Sequence, residues 1–183
     1  MRAASLLALA CIGAAQPPAA LPPLHVPPER GHFNYRPLPL DRALALFQTI
    51  CMDSHFDGEA VERAVLAAEL GYTRQIAEQP GEMLWTSPYG EVYFRGEGAM
   101  RDGRPMQDCD LRFAIPDRMA RRRLIARIGR ALAPGSRRVE VDSVSIWDLR
   151  GNFADRLQYA RFAPGETRLI DLNRRHIYPG QER

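Results

Sequence analysis

The sequence predicts an α+β fold in the order α-α-β-β-β-α-β-β-β, an antiparallel sheet with helices packed on one face. Three observations carry that expectation. Apolar residues recur at helical spacing in 41–51, 58–70 and 118–132; alternation with period two takes over from residue 83; and Asp102-Gly103 divides one long alternating run into two strands. With 183 residues, 45% hydrophobic and 26% charged, the chain has the make-up of one ordinary domain with a real core, not of a disordered segment.

Two segments precede the domain. Met1-Arg2 is a short positive start, Ala3 to Gly13 is an almost unbroken small-apolar run, and Gly13 and Ala15 have the spacing a signal peptidase reads. Residues 1–15 are therefore expected to be a signal peptide, cleaved before Gln16, and the mature chain to be periplasmic or secreted from a bacterium. The run is too short to span a bilayer, which needs about 20 apolar residues, so no transmembrane segment is expected. Leu9-Ala10-Cys11 also resembles a lipoprotein cleavage site, which keeps a lipid anchor at Cys11 as the alternative. Residues 16–39 form a proline-rich arm: Pro17-Pro18, Pro22-Pro23 and Pro27-Pro28 recur every five residues, a pattern that lacks donors and favours an extended course. The arm reads as a spacer, or more sharply as a docking segment for a proline-binding partner.

The domain, residues 40–183, follows in order. Asp41 can cap a first helix whose stripe is Leu44, Phe47, Ile50 and Cys51. Asp57 can cap a second over 58–70, stopped at Gly71 in a left-handed conformation, with Val61, Ala64, Val65 and Ala68 inward. Met83-Leu84-Trp85 is a short strand before the turn Ser87-Pro88-Tyr89-Gly90. Glu91–Arg101 and Arg104–Ile115 then form a hairpin. With Arg101 opposite Arg104, Val92 faces Phe113, Phe94 faces Leu111 and Gly96 faces Cys109 on the inner side, while Arg95 faces Asp110 outside. Asp117 can cap a third helix over 118–132, ended at Ala133-Pro134-Gly135. Three strands complete the chain, Val139–Leu149, Arg156–Phe162 and Thr167–Asn173, with turns at Arg150-Gly151-Asn152 and Pro164-Gly165. Val139 and Val141 lie on one side of the first of these and Val144 and Ile146 on the other, so it is either covered on both sides or bulged near Asp142-Ser143. Two successive helix-plus-strands units have the look of a duplication, without a residue-level repeat.

Cleavage would remove Cys11 and lipidation would consume it; either way Cys51 and Cys109 remain, in an oxidising compartment. One sits on a helix's buried stripe and the other on a strand's inner side, which predicts a Cys51–Cys109 disulfide. The rival is a nucleophilic Cys51 with His55 one turn on. The Phe47-Gln48-Thr49-Ile50-Cys51 helix, Trp85, the glycine-rich strand and Cys109 together resemble small exported bacterial proteins of uncharacterised function. That resemblance spans residues 38–115 and implies neither an activity nor a site.

Three groups of residues are candidates for chemistry. Asp53, His55 and Asp57 alternate after the first helix and offer oxygen and nitrogen ligands to a divalent metal, with His176 as a distant further ligand; solvated charges and a helix cap account for them equally well. On the outer side of the hairpin Glu97 falls opposite Asp108 with Asp110 diagonal to it, an acidic surface that Arg95 can balance or a cation can occupy. The third helix carries Arg118, Arg121, Arg122, Arg123, Arg127 and Arg130, with Arg121 inside the apolar arc. All 25 basic residues are arginine, as a GC-rich coding sequence would give, and net charge is only +3, so this face reads as solvated and nucleic acid is not an expected partner.

No nucleophile elbow, zinc-protease motif, Cys-x-x-Cys or phosphate-binding glycine loop occurs, and no cofactor is implied. The expected function is a non-enzymatic module that binds an envelope protein or a small ligand on the uncovered sheet face, at Tyr93, Arg95, Asp108 and Asp110. The alternatives are a small envelope hydrolase or metal-assisted enzyme using Asp53, His55 and Asp57, and a tethered structural component of the envelope.

Overall fold

The first helical stretch widens where two neighbouring residues must both face the core. The computed structural model describes residues 34–77, 79–99, 105–142, 144–161 and 168–178; the leader, Cys11, the arm up to residue 33 and the turns at Asp102-Gly103 and Pro164-Gly165 lie outside them. Among the described residues are three α-helices, α1 (Leu40–Phe47), α2 (Gly58–Ala67) and α3 (Arg121–Leu132). Eight strands accompany them: β1 (Thr73–Gln75), β2 (Glu82–Ser87), β3 (Gly90–Ala99), β4 (Pro105–Ala114), β5 (Arg137–Val141), β6 (Val144–Asp148), β7 (Asp155–Arg161) and β8 (Leu169–Ile177). Helix α1 runs into a π-helical turn, Gln48–Met52, in which Asp53 N–H donates to Gln48 O five residues back at 2.9 Å. The wider turn lets Ile50 and Cys51, adjacent in sequence, both reach full burial.

All eight strands form one antiparallel sheet in the order β1-β2-β3-β4-β8-β7-β6-β5. Each half of the chain is therefore helix first and then a four-strand meander, and the two meanders meet through their last strands. The fold is α+β as expected, with eight strands in place of the six read from the sequence. Strand β1 is short, exposed and without an alternating pattern, so periodicity does not reveal it. The expected strand 139–149 is two strands: Val141 pairs with Val144, and Asp142 takes φ 47°, a left-handed turn conformation that aspartate tolerates. The switch of apolar side between Val141 and Val144 marks a hairpin, not a bulge.

The β3–β4 hairpin keeps the expected sidedness in a different register. Phe94, not Gly96, faces Cys109; Val92 faces Leu111; Tyr93 faces Asp110; and Arg95 faces Asp108. A shift between Arg95 and Gly98 absorbs the displacement, so Glu97 does not oppose Asp108. A two-residue slip leaves every side chain on its own side, which is why the apolar pattern could not detect it. Gly96 makes room for a neighbour on its own strand: a Cβ there would lie 3.2 Å from the Phe94 ring.

Two of the three expected helix caps also differ. Asp57 does accept from Ala60 N–H at 2.9 Å. Helix α1, however, starts after Pro39, and Asp41 lies in its first turn, ion-paired with Arg127 of α3. Helix α3 starts after Ala120 without a side-chain cap, leaving Asp117 outside it. The domain begins before residue 40, because Arg36 N–H donates to Pro88 O (2.7 Å) and Leu38 N–H to Ala114 O (2.8 Å).

Strand parity places the core on one side of the sheet. Trp85, Val92, Phe94, Cys109, Leu111, Phe113, Leu157, Tyr159, Ile170 and Leu172 form one cluster with Leu44, Phe47, Ile50, Val61, Val65, Leu124, Ile125 and Ile128 of the helical segments. Helix α3 approaches closely enough that a Cβ on Gly129 would stand 2.7 Å from Trp147 Nε1. The Cys51–Cys109 disulfide crosses this core, with Cα atoms 5.5 Å apart. Cys51 is thereby unavailable as a nucleophile, and His55 is exposed.

Beside the disulfide, Arg174 of β8 is the register partner of Cys109. Its guanidinium donates to both oxygens of Asp155 (3.1 and 2.9 Å), to Cys51 O (3.1 Å) and to Met52 O (2.7 Å), and lies 4.7 Å from the centre of the Phe56 ring. One buried cation thus neutralises a buried carboxylate and satisfies two carbonyls of the wide turn. Two outcomes follow for chemical denaturation. Removing the 58-residue cross-link through a Cys51→Ser, Cys109→Ser double variant is expected to cost about 4 kcal/mol. Arg174→Met, which leaves the two turn carbonyls without a donor and the buried Asp155 with only the exposed Arg150 (3.0 Å), is expected to cost about 3–5 kcal/mol, with Arg174→Lys recovering only part because it cannot reach all four acceptors.

Candidate functional site

With Cys109 and Arg174 turned toward the core, their neighbours Asp108, Asp110, Asn173 and Arg175 point to the opposite face of the sheet. Three cross-strand rows form there. In one, Glu82, Arg95, Asp108, Arg175 and Arg156 are successive register partners; Arg95 binds Glu82 at 2.6 Å and Arg175 binds Asp108 at 2.5 Å. In another, Arg112 lies between Glu91 and Asp171, 3.3 Å from each. Between these charged rows runs a third: Tyr93, Asp110, Asn173 and Gln158.

The middle row differs in its electrostatics. The flanking arginines 95, 112 and 175 are bound to other carboxylates, and among the described residues Asp110 makes no ion pair; its donor is the Asn173 amide. Burial, and then the carboxylates of Asp171 and Asp108, hold the Asp110 carboxyl well above its ordinary value. Burial also raises Asp171, against the opposing pull of Arg112. Burial opposes ionisation of Glu82 too, yet hydrogen bonds from Tyr93 (2.7 Å) and Arg95 outweigh it and hold that carboxyl below the usual range. The Tyr93 phenol is held up by burial and by its bond to Glu82, and Arg95 lies 5.6 Å from the centre of its ring. Tyr35, from the segment before α1, stands near Glu91, Arg112 and Asp171, its phenol raised by burial and then by Glu91.

Two polar atoms in the middle row have no hydrogen-bond partner among the described residues. They are Gln158 Nε2 and Asn173 Oδ1, on side chains 6% and 8% exposed. Asn173 Nδ2 is occupied by Asp110 and, at 3.4 Å, by Asp108, which fixes the amide's orientation and leaves its oxygen turned away. Tyr93, Arg95 and Asp110 remain half-buried, so the row is open at that end. A buried donor and a buried acceptor left over beside a half-buried aspartate that makes no ion pair among the described residues are the features of a polar ligand site.

The structure brings together all four residues expected on this face: Tyr93 opposite Asp110 and Arg95 opposite Asp108. Sequence reasoning missed their partners Glu82, Arg112, Gln158, Asp171, Asn173 and Arg175. The alternation of Asp171, Asn173 and Arg175 with Ile170, Leu172 and Arg174 is a period-two signal that runs past the expected end of the last strand at Asn173. The Asp53-His55-Asp57 group is dispersed in its duties. Asp53 accepts from Gln48 Nε2 at 2.6 Å, Asp57 caps α2, and His55 sits at φ 51°. Its neighbour Phe56, at φ 63°, is buried under Arg174 with its ring centre 6.3 Å from that of His176. His176 does come near that loop, burial holding its imidazole below the ordinary value, but among the described residues no three His, Cys, Asp or Glu side chains are arranged to hold a metal. On α3, Arg121, inside the apolar arc, pairs with Glu140 at 2.6 Å.

No family model matches the chain, and no curated protein or solved structure is similar to it.

The charge state of Asp110 has a testable consequence. A carboxyl whose value is raised by folding contributes stability below the ordinary aspartate range, about pH 4, and loses it as pH rises through the raised value. Asp110→Asn cannot ionise and keeps a similar shape. It is expected to match the wild type near pH 4 and to exceed it above, the gap widening as pH rises toward 8, read from denaturation midpoints against pH.

Proposed function

We propose that this is an exported binding protein that takes a small polar ligand on the sheet face opposite the disulfide, at Tyr93, Asp110, Asn173 and Gln158. The observation that carries the reading is the pair of unsatisfied, buried groups Gln158 Nε2 and Asn173 Oδ1 beside the half-buried Asp110. Leaving such groups unmet costs about 1–3 kcal/mol each, and a ligand that meets them recovers that cost on binding. The flanking ladders of ion pairs hold the row in place and give a preorganised, polar surface. Export is supported by the leader pattern of residues 1–15 and by the buried disulfide, which is at home in an oxidising compartment. Among the described residues no helix is long and apolar enough to cross a membrane. The engagement of Asp53 and Asp57 elsewhere weighs against a metal-assisted hydrolase centred on them.

A thermal-shift screen tests the proposal on oxidised protein with a library of small sugars, polyols, amino acids, amines and carboxylic acids. At least one compound is expected to stabilise the protein, by about 2.7 kcal/mol when present at a hundredfold excess over its Kd. The effect is expected to weaken in Gln158→Leu, which removes a donor without leaving a cavity. A folded protein stabilised by nothing in the library, or stabilised equally in that variant, would remove the basis for this reading.

A further inference from the structure

We infer that the ligand carries a protonated amine, seated against the Asp110 carboxylate and the Asn173 carbonyl oxygen, and a neighbouring oxygen that accepts from Gln158 Nε2. This rests on the ligand-binding reading above and narrows it to a chemical class: amino alcohols, amino sugars and amino-acid derivatives.

The argument is one of charge balance and leftover valence. Asp108, Asp171 and Glu82 each have an arginine within 3.3 Å, whereas among the described residues Asp110 makes no ion pair: it accepts from the Asn173 amide, and Arg175, bound to Asp108, acts on it as a weaker influence than burial and the neighbouring carboxylates. What the row lacks is a positive charge. An anionic ligand would meet Asp110 together with Asp108 and Asp171 and be repelled. A neutral polyol could satisfy Asn173 Oδ1 and Gln158 Nε2 yet would leave Asp110 without a counter-charge. A metal ion needs several hard oxygen ligands in one shell, and among the described residues no three carboxylate, imidazole or thiolate groups provide it. An ammonium group supplies what is missing: up to three donors and one positive charge in a small volume. Asn173 Oδ1 is an acceptor with both lone pairs open, Asp110 is an acceptor once ionised, and the Gln158 amide is a donor for an oxygen on the same molecule. The register Asp110–Asn173–Gln158 runs over three adjacent strands, β4, β8 and β7, so these groups follow one another along a single line across the sheet. Seating the ammonium draws the proton of the Asp110 carboxyl off to solvent, because a positive neighbour favours the ionised form. The bond between carboxylate and ammonium is a charge-assisted hydrogen bond; no covalent bond forms or breaks apart from that O–H.

The experiment compares amines with their hydroxyl counterparts by titration calorimetry on the oxidised protein: ethanolamine with ethylene glycol, glucosamine with glucose, glycinamide with glycolamide. At least one amine is expected to bind 10–100-fold more tightly than its partner, the range a hydrogen bond to a charged group supplies. Its heat is also expected to depend on the buffer's ionisation enthalpy, reporting the released proton. Asp110→Asn, which keeps the side-chain shape, is expected to abolish the preference for the amine; Gln158→Leu is expected to weaken amine and hydroxyl compounds alike while keeping the preference. Hydroxyl compounds bound as tightly as the amines, or an amine preference that survives in Asp110→Asn, would overturn the inference and leave the ligand-binding reading standing. If no compound of either series binds, and the library screen is also empty, both fail together. The amine-to-hydroxyl ratio is measured on the unaltered protein, so the outcome does not depend on a variant folding.

Discussion

Cys109 and Arg174 face each other across the central strand pair, and both reach the same helical turn, one through sulfur and the other through two hydrogen bonds, with two more to Asp155 of β7. A disulfide by itself fixes a distance and constrains the unfolded chain. The guanidinium adds direction, since its planar fork must meet Asp155 on one side and the Cys51 and Met52 carbonyls on the other. The widened turn leaves those carbonyls needing donors, and the cation that supplies them needs a counter-charge, which β7 provides. Phe56 completes the arrangement by lying against the guanidinium. That burial accounts for two successive residues, His55 and Phe56, holding left-handed conformations that cost of order 1–3 kcal/mol each. Strands β4, β7 and β8 and the first helical segment are thus joined at one point.

The chemistry of the opposite face follows from this by parity. Once 109 and 174 are inward, 108, 110, 173 and 175 have no choice of side. Sheet pairing then sets acid against arginine on neighbouring strands, Glu82 to Arg95, Asp108 to Arg175, Arg112 to both Glu91 and Asp171. Arginine suits such rows because its stem packs as hydrocarbon while its fork serves two acceptors. Buried charge on this scale is tolerated only with close partners, and the two outer rows have them. They hold the side chains of the middle row without neutralising it.

Much of this was legible in the sequence, and what was not has identifiable causes. The sidedness of β3 and β4, the burial of Cys51 and Cys109 and the grouping of Tyr93, Arg95, Asp108 and Asp110 all rest on period-two or helical spacing, which a single segment carries within itself. The register does not: a slip of two residues preserves sidedness, so Arg95 could be put on the correct face and opposite the wrong aspartate. Capping failed at Asp41 and Asp117 because both carboxylates sit close to helix starts, where composition cannot tell a capping residue from one in the first turn or before it. The turn at Asp142 was hidden because the sequence there lacks the glycine that identifies Asp102-Gly103. Most important, β4 and β8 are separated by a helix and three strands in the chain, and nothing local announces that they pair. The site's missing half, Asn173 and Arg175 with Asp171, comes from that long-range pairing.

Asp148 shows why Asp110 stands apart. Both are aspartates on the same face of the sheet. Asp148 is met by the backbone N–H groups of Arg150, Gly151 and Phe153 at 3.2, 2.7 and 3.0 Å, so its charge closes a turn and its role is complete within the chain. Asp110 closes no turn and holds no helix end; its donor among the described residues is an amide whose own oxygen is left over. An asparagine there would serve the fold at least as well, because it would remove a carboxyl that burial and two neighbouring carboxylates oppose. A residue whose charge the structure neither needs nor neutralises is the point at which a charge brought from outside has the largest effect. Among the described residues, Glu82, Glu91, Asp108, Asp155 and Asp171 are matched to arginines and Asp148 to backbone donors, so that imbalance lies at the half-buried end of the row that also keeps an unmet donor and an unmet acceptor.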